Sequence, residues 1–287
     1  MLIEYMKTFQ HAWLIEYLRT KKSEESGQKA LMKLCQTFAK RHGFSSQVTL
    51  TSKLNEFELT ETQITNALDF WGYHWNTPLD EIYNMDETSI YYAIAPKKVG
   101  RKRKNRLGAC DGFDKTPSRF TGKKLPILFI IKGVPGGDIE KDELKTYPLG
   151  HYYCVQENAW VDARGWDFYA GEMLPRELDR PAVMIADNFD CHVSAAGHDR
   201  KANAVVFPLP PNSTSTCQPL DAGVMGPLKS ALRSAWIQNK DPSPKTAKEK
   251  RMDSIKRTIT AWDSITEKTV RSSFRKAIPR EFEAVEF

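Results

Sequence analysis

The sequence predicts an α/β fold in which a mixed sheet carries helices on both faces. From residue 81 onward, short apolar runs typical of buried strands alternate with segments of helical periodicity. Before residue 81, apolar residues recur at helical spacing and no strand pattern occurs. We therefore expect a small all-helical region over 1–80 and a larger α/β domain over 81–287.

Three helices account for the first 80 residues. The spacing of apolar residues predicts a helix over 2–22, a second that follows the segment 23–26 and stops at Gly43, and a third over about 53–74. These helices are either an independent module or an arm packed on the following domain. The sequence pattern leaves both arrangements open.

The later part of the chain contains the strands and longer helices of the predicted domain. Strands are expected at 82–86, 89–94, 126–132, 182–186 and 204–207, the last closed by a proline-rich turn. Helices are expected at 158–174, 224–239 and 251–277, with a polar linker over 239–250.

Composition narrows the class of protein. The 287 residues are 40% hydrophobic and 27% charged, with a net charge of +6, which is ordinary for a globular protein. No apolar stretch approaches the roughly 20 residues of a membrane helix, and the charged N-terminus does not resemble a secretory signal. Five scattered cysteines without a CxxC pair favour free thiols in a reducing compartment. We expect a soluble intracellular protein.

One strongly basic segment places seven cations within ten residues. They are Lys97, Lys98, Arg101, Lys102, Arg103, Lys104 and Arg106. Such a run is either a solvated loop or a segment that contacts nucleic-acid phosphates, and it is also typical of a nuclear import signal.

Three acidic residues are the candidate catalytic groups. Asp86 and Asp187 end apolar runs, and Asp221 follows a proline-rich turn. Carboxylates that converge at one sheet edge can hold divalent metal ions for phosphodiester chemistry, although an isolated aspartate at a strand end more often forms a turn or caps a helix. Glu87 faces the opposite side from Asp86 in an extended segment, and the pattern alone does not choose between them.

The phrases around these acids resemble the DDE superfamily endonuclease domain of pogo-, Tigger- and jerky-type transposases, the group that includes the centromere protein CENP-B. The first phrase is Asn-Met-Asp-Glu-Thr at 84–88, and the second is Asp-Asn-Phe-Asp-Cys-His at 187–192. The third joins Leu-Pro-Pro-Asn-Ser-Thr at 209–214 to Gln-Pro-Leu-Asp-Ala-Gly-Val at 218–224. The resemblance covers about 81–280.

This resemblance implies an RNase H-like fold and an endonuclease or strand transferase that acts on DNA. It selects Asp86 over Glu87 and assigns Asp86, Asp187 and Asp221 as ligands of two Mg²⁺ or Mn²⁺ ions. Ligation by oxygen alone suits these hard cations and argues against zinc. Asn188 is expected to orient Asp187 or the loop that carries it, and His192 to contact phosphate or a metal ligand. A nuclear location follows, a homodimer is allowed, and neither a membrane nor an organic cofactor is implied.

Two departures from the family pattern leave alternatives. Ala222 replaces a glutamine that is common beside the third acid, and the N-terminal region resembles at most the closing helices of a CENP-B-type DNA-binding unit. The alternative function is a domesticated or decayed nuclear DNA-binding protein without cleavage activity. A third interpretation is an RNase H-like nuclease that prefers RNA.

Overall fold

The computed structural model describes residues 2–42, 55–90, 112–157, 163–187, 204–238 and 245–280. The chain forms two compact units, and each unit is assembled from segments that are separate in sequence. The first contains residues 1–51, 91–109 and 229–261, and the second contains 52–90, 110–228 and 262–287. The boundary predicted near residue 80 stays a prediction.

The first unit contains the N-terminal helices α1 (Leu2–Phe9), α2 (His11–Arg19) and α3 (Glu24–Arg41). The single helix predicted over 2–22 is therefore two helices, which meet at Gln10. Ser23 caps α3 through a reciprocal pair of hydrogen bonds with Ser26. The small core of the first unit contains Ile3, Leu14, Leu31 and Ile237.

Eight short strands form the sheets of the second unit in the described ranges. They are β1 (Ile82–Asn84), β2 (Glu87–Ile90), β3 (Gly112–Lys115), β4 (Ser118–Arg119), β5 (Leu128–Lys132), β6 (Tyr152–Gln156), β7 (Ala182–Ala186) and β8 (Ala204–Pro208). They pair in the orders β4-β1-β7-β8 and β2-β3-β5-β6. β1 and β2 are separated only by Met85 and Asp86, so the two sheets meet where one extended segment changes partners.

Both sheets are mixed. β1, β7 and β8 run parallel, and β4 is antiparallel to β1. β3 is antiparallel to β2 and β5, whereas β5 and β6 are parallel. The sequence pattern did not predict β3 or β6, because β3 is short and polar and the first residues of β6 are only partly buried.

Seven further helices complete the described chain. They are α4 (Glu56–His74), α5 (Ala163–Phe168), α6 (Leu174–Glu177), α7 (Thr214–Cys217), α8 (Met225–Gln238), α9 (Ala247–Asp263) and α10 (Glu267–Ala277). The helix predicted over 251–277 is wrong as a continuous element, because Thr266 accepts a hydrogen bond from the Thr269 N–H and starts a new helix. The one predicted over 158–174 is described only from Ala163, where α5 is followed by a π-helical turn, Tyr169–Met173, and α6.

Helices cover both faces of the sheet that contains β1. On one face, Tyr83, Met85, Met184 and Val206 pack in a cluster with α5, α6 and the turn between them. On the other face, Phe70 of α4 meets Phe207 edge to face at 5.1 Å between ring centroids. The predicted α/β sheet flanked by helices, with an all-helical N-terminal region, is confirmed. Among the helices in the described ranges, none combines the length and apolarity that a membrane crossing requires.

Candidate active site

The three predicted acids lie on three different elements of the second unit. Asp86 is partly buried directly between β1 and β2, and Asp187 is partly buried one residue after β7. Asp221 is exposed in a π-helical turn, Leu220–Val224. The predicted helix over 224–239 agrees with α8, which begins one residue after this turn.

Asp86 and Asp187 follow neighbouring parallel strands in matching positions. The register pairs Asn84 with Ile185, and each acid lies two residues beyond its member of that pair. The Met85 N–H donates to the Ile185 carbonyl at 3.4 Å, so the segment after β1 still lies next to β7 at this point. Parallel strands deliver their carboxyl ends to one sheet edge, and both acids are at that edge.

The side chain of Asn84 connects the segments that precede all three acids. Asn84 is fully buried, and its Nδ2 donates to the carbonyl of Ile185 at 2.8 Å. Its Oδ1 accepts from the N–H of Leu220 at 2.8 Å. One amide therefore fixes β1, β7 and the turn that carries Asp221 at a shared point, two residues from Asp86 and Asp187 and one from Asp221.

Gln218 adds a second link between the Asp221 segment and β1. Its buried Nε2 donates to the Met85 carbonyl at 3.0 Å. This hydrogen bond gives a partner to a carbonyl at the break between the two sheets. The Gln218 carbonyl in turn accepts from the Ala222 N–H at 2.8 Å. The Gln-Pro-Leu-Asp phrase thus docks through its first residue and positions its last one.

The Leu-Pro-Pro-Asn-Ser phrase is the turn that leads from β8 to this docked segment. The Leu209 N–H donates to the Ala186 carbonyl at 3.0 Å, next to Asp187. Asn212 has a φ of 60°, a left-handed conformation that asparagine tolerates better than most residues. Ser213 Oγ donates to the Pro210 carbonyl at 2.6 Å. The phrase reverses the chain so that α7 and the Asp221 turn return to the sheet edge.

Burial dominates the electrostatics of the strand that leads to Asp86. It raises the pKa of Tyr83 to about 12, and the Arg119 guanidinium, 5.0 Å from the ring centroid, opposes that rise. Tyr83 therefore remains neutral at physiological pH. At the strand end itself, Asp86 Oδ1 accepts from the Glu87 N–H at 2.8 Å, which orients this carboxylate along the backbone.

The described ranges contain only part of the predicted site. Within the described ranges, no three His, Cys, Asp or Glu side chains are grouped as a metal site, so the ligand roles of the three acids stay predictions. Asn188, His192 and the basic run from Lys97 to Arg106 lie outside the described residues. Cys35, Cys154 and Cys217 are free thiols.

Residues 119–274 match the family described as DDE superfamily endonuclease, which is more than half of the 287 residues. The chain belongs to this family. The matched segment includes Asp187 and Asp221, with the turn and the docked phrase between them. It begins after Asp86, which lies two residues beyond Asn84 of the strand paired with β7.

Solved structures similar to this chain include complexes of a mariner transposase, Mos1. The paired-end complex with Mg has 15% identity and a TM-score of 0.50, over 96% of this chain and 77% of the other. The strand transfer complex has 16% identity, a TM-score of 0.49 and coverages of 95% and 76%. The paired-end complex with Mn has 14% identity, a TM-score of 0.49 and coverages of 94% and 75%.

The likeness to the paired-end complex with Mg supports the fold that the sequence predicted, which is an RNase H-like mixed sheet flanked by helices. Sequence reasoning did not find the roles of Asn84 and Gln218. Both residues belong to the acidic phrases, and residue type and spacing alone assign them no role. A signal was present, because Asn84 interrupts the apolar run from Ile82 to Met85 and a buried amide requires partners.

Proposed function

We propose that the chain is a divalent-metal-dependent DNA endonuclease and strand transferase that uses Asp86, Asp187 and Asp221. The observation that carries this proposal is the Asn84 amide, which hydrogen-bonds to β7 and to the Asp221 turn. A fully buried side chain that satisfies two separate segments holds them with little freedom. The acid-bearing ends of those segments are thereby kept close to one another.

The alternation of the extended chain supports Asp86 as the ligand over Glu87. Tyr83 and Met85 both belong to the apolar cluster on the α5 face, whereas Asn84 reaches the Asp221 turn. Residues two apart share a face in an extended segment. If this alternation continues through Met85 and Asp86, Asp86 shares the face of Asn84 and Glu87 shares the face of Met85.

The donor set fits Mg²⁺ or Mn²⁺, because all three side chains offer carboxylate oxygens and no thiolate or imidazole is among them. Bound ions of this kind assist attack of water, or of a DNA 3′-hydroxyl, on a phosphodiester and the departure of the leaving oxygen. The chain's own part is to supply negative charge at a fixed position. Asn84 and Gln218 contribute by holding the backbone of the three segments.

DNA as the substrate is supported by family membership and by the likeness to a transposase paired-end complex with Mg. That likeness concerns the fold, and its extension to the substrate and the metal is part of the proposal. Nuclear localisation and a homodimer likewise remain predictions.

The test is nicking of supercoiled plasmid by the purified chain with Mg²⁺, with Mn²⁺ and with EDTA. Asp187→Asn is expected to abolish the metal-dependent nicking, and Asp142→Asn, an exposed aspartate of the same unit, is expected to retain it. Nicking that survives Asp187→Asn refutes the site. DNA binding without nicking, together with no carboxylate-dependent Mn²⁺ binding by calorimetry, supports the non-catalytic alternative. Preferential cleavage of RNA supports the third interpretation.

A further inference from the structure

We propose that a groove between the Asp221 turn and α10 binds the sugar-phosphate backbone of a DNA strand. This proposal rests on the proposed function, because it concerns the same substrate. The groove has a volume of about 310 Å³ and is lined by Gly223, Lys268, Thr269, Ser272, Ser273 and Lys276. Five of these six residues lie on α10, and the sixth lies two positions after Asp221.

One face of α10 packs inward and leaves a polar stripe beside the groove. Val270, Ser273, Phe274 and Ala277 are buried. Lys268, Ser272 and Lys276 are four residues apart, so they align along one side of the helix, and all three are exposed. The buried face fixes the helix, and the exposed stripe presents two ammonium groups with a hydroxyl between them.

The segment that forms the groove is strongly cationic. Residues 268–280 contain five Lys or Arg residues and no Asp or Glu. Arg271 lies 3.8 Å from Glu267, and Arg280 donates to the Trp75 carbonyl. The groove itself is lined by Lys268 and Lys276, so its charge suits a polyanion.

Lys276 places a positive charge next to the candidate catalytic acid. Its Nζ donates to the Ala222 carbonyl at 3.1 Å, and Ala222 directly follows Asp221. An ammonium group carries three N–H donors, and one carbonyl accepts only one of them. A phosphate that approaches the acids along the groove meets the other N–H groups.

The chemistry of the groove favours the DNA backbone over the base edges. Lysine is a compact point charge on a flexible stem and lacks the rigid planar fork of arginine. Lysine and hydroxyl groups are typical phosphate contacts, which position a strand without reading its sequence. We therefore expect binding that is independent of sequence and sensitive to salt.

The experiment compares two double variants, each of which removes two positive charges from exposed lysines of the second unit. Lys268→Gln with Lys276→Gln changes the groove, and Lys141→Gln with Lys145→Gln changes exposed lysines elsewhere on the unit. Fluorescence anisotropy with a labelled random-sequence duplex, in EDTA and over a salt series, measures the affinity. The groove variant is expected to bind about tenfold more weakly, with a salt slope smaller by about 2.

A single variant separates a phosphate contact from a structural effect of Lys276. Lys268→Gln leaves the hydrogen bond to Ala222 intact and is expected to lower the salt slope by about 1. An affinity and salt slope of the groove variant equal to those of the wild type overturn the proposal. Equal losses in both double variants also overturn it, because they indicate a diffuse charge effect.

The outcome for the groove is independent of the outcome for the nuclease. If the groove variant loses affinity while the wild-type chain binds DNA but never nicks it, the groove is supported and the nuclease proposal fails. If the wild type nicks and the groove variant binds normally, the groove proposal alone fails.

Discussion

The Asn84 Oδ1 and the Leu220 N–H form a 2.8 Å hydrogen bond that joins β1 to the segment of Asp221 across 136 positions of sequence. The other end of the same amide reaches Ile185 in β7. A short polar side chain at the end of strand β1 thus connects three regions that are distant in sequence.

Replacing Asn84 with alanine is expected to reduce the free energy of unfolding by about 1–3 kcal/mol, because the buried Leu220 N–H loses its acceptor. The Ile185 carbonyl also loses its shorter hydrogen bond and keeps the one from the Met85 N–H. Chemical denaturation measures this loss. Asn66→Ala is the matched control. Asn66 is also buried in the same unit, but its Nδ2 has no partner among the described residues. An equal loss in both variants contradicts the bridging role of Asn84.

Asp86→Asn is expected to lower metal-dependent nicking by about 10³-fold, which corresponds to roughly 4 kcal/mol of the activation barrier. Asparagine keeps an Oδ1 that can accept from the Glu87 N–H, so the local backbone is preserved and only the charge is lost. Glu87→Gln, measured in the same plasmid assay, is expected to retain activity. Loss in Glu87→Gln with activity in Asp86→Asn reverses the choice between the two neighbours.

Gly223→Ala is expected to destabilise the second unit by about 1–3 kcal/mol, because the added methyl overpacks a close contact. A Cβ at Gly223 lies 2.7 Å from Ser273 Cβ and 3.2 Å from Ser273 Cα, whereas a Cβ at Gly226 meets nothing within 4 Å. Gly226→Ala is therefore the control, with an unchanged or higher melting temperature. Thermal unfolding compares the two, and a tolerated Gly223→Ala contradicts the tight packing of α10 on the turn.

His151 is expected to make stability depend on pH in the acidic range. Burial lowers the pKa of His151 below its ordinary value of 6.5, and Asp263 opposes that shift. Its Nδ1 accepts from the Ile127 N–H at 3.1 Å, which requires the neutral ring. The unfolded chain binds the proton first, so stability is complete above about pH 6.5 and falls as the pH drops through the folded pKa.

The contribution of one histidine to this slope cannot exceed about 1.4 kcal/mol per pH unit. Urea unfolding between pH 5 and 7.5 is expected to show a flatter profile for His151→Gln than for the wild type. His42→Gln, at an exposed position of the first unit, provides the control. A profile of His151→Gln that parallels the wild type removes His151 as the cause.

The sequence was sufficient for the strands that are wholly apolar and for helices with clear periodicity. Ala182–Ala186 is buried at every position, as its uninterrupted run of apolar residues predicts. β6 and the division between α9 and α10 were missed. In β6 the pattern is weakened by partial burial, and the helix division depends on a capping contact at Thr266 within an otherwise helical pattern.

The sequence by itself determined the family, the order of the acidic phrases and the α/β class, because all three are recorded in residue type and spacing along the chain. Only the tertiary structure decided that Asn84 and Gln218 hold these phrases together and that α10 packs on Gly223. Their hydrogen bonds join residues that are 101 to 136 positions apart, and no periodic pattern of residue types along the sequence indicates such pairs. They exist only once the strands have paired and brought the segments together.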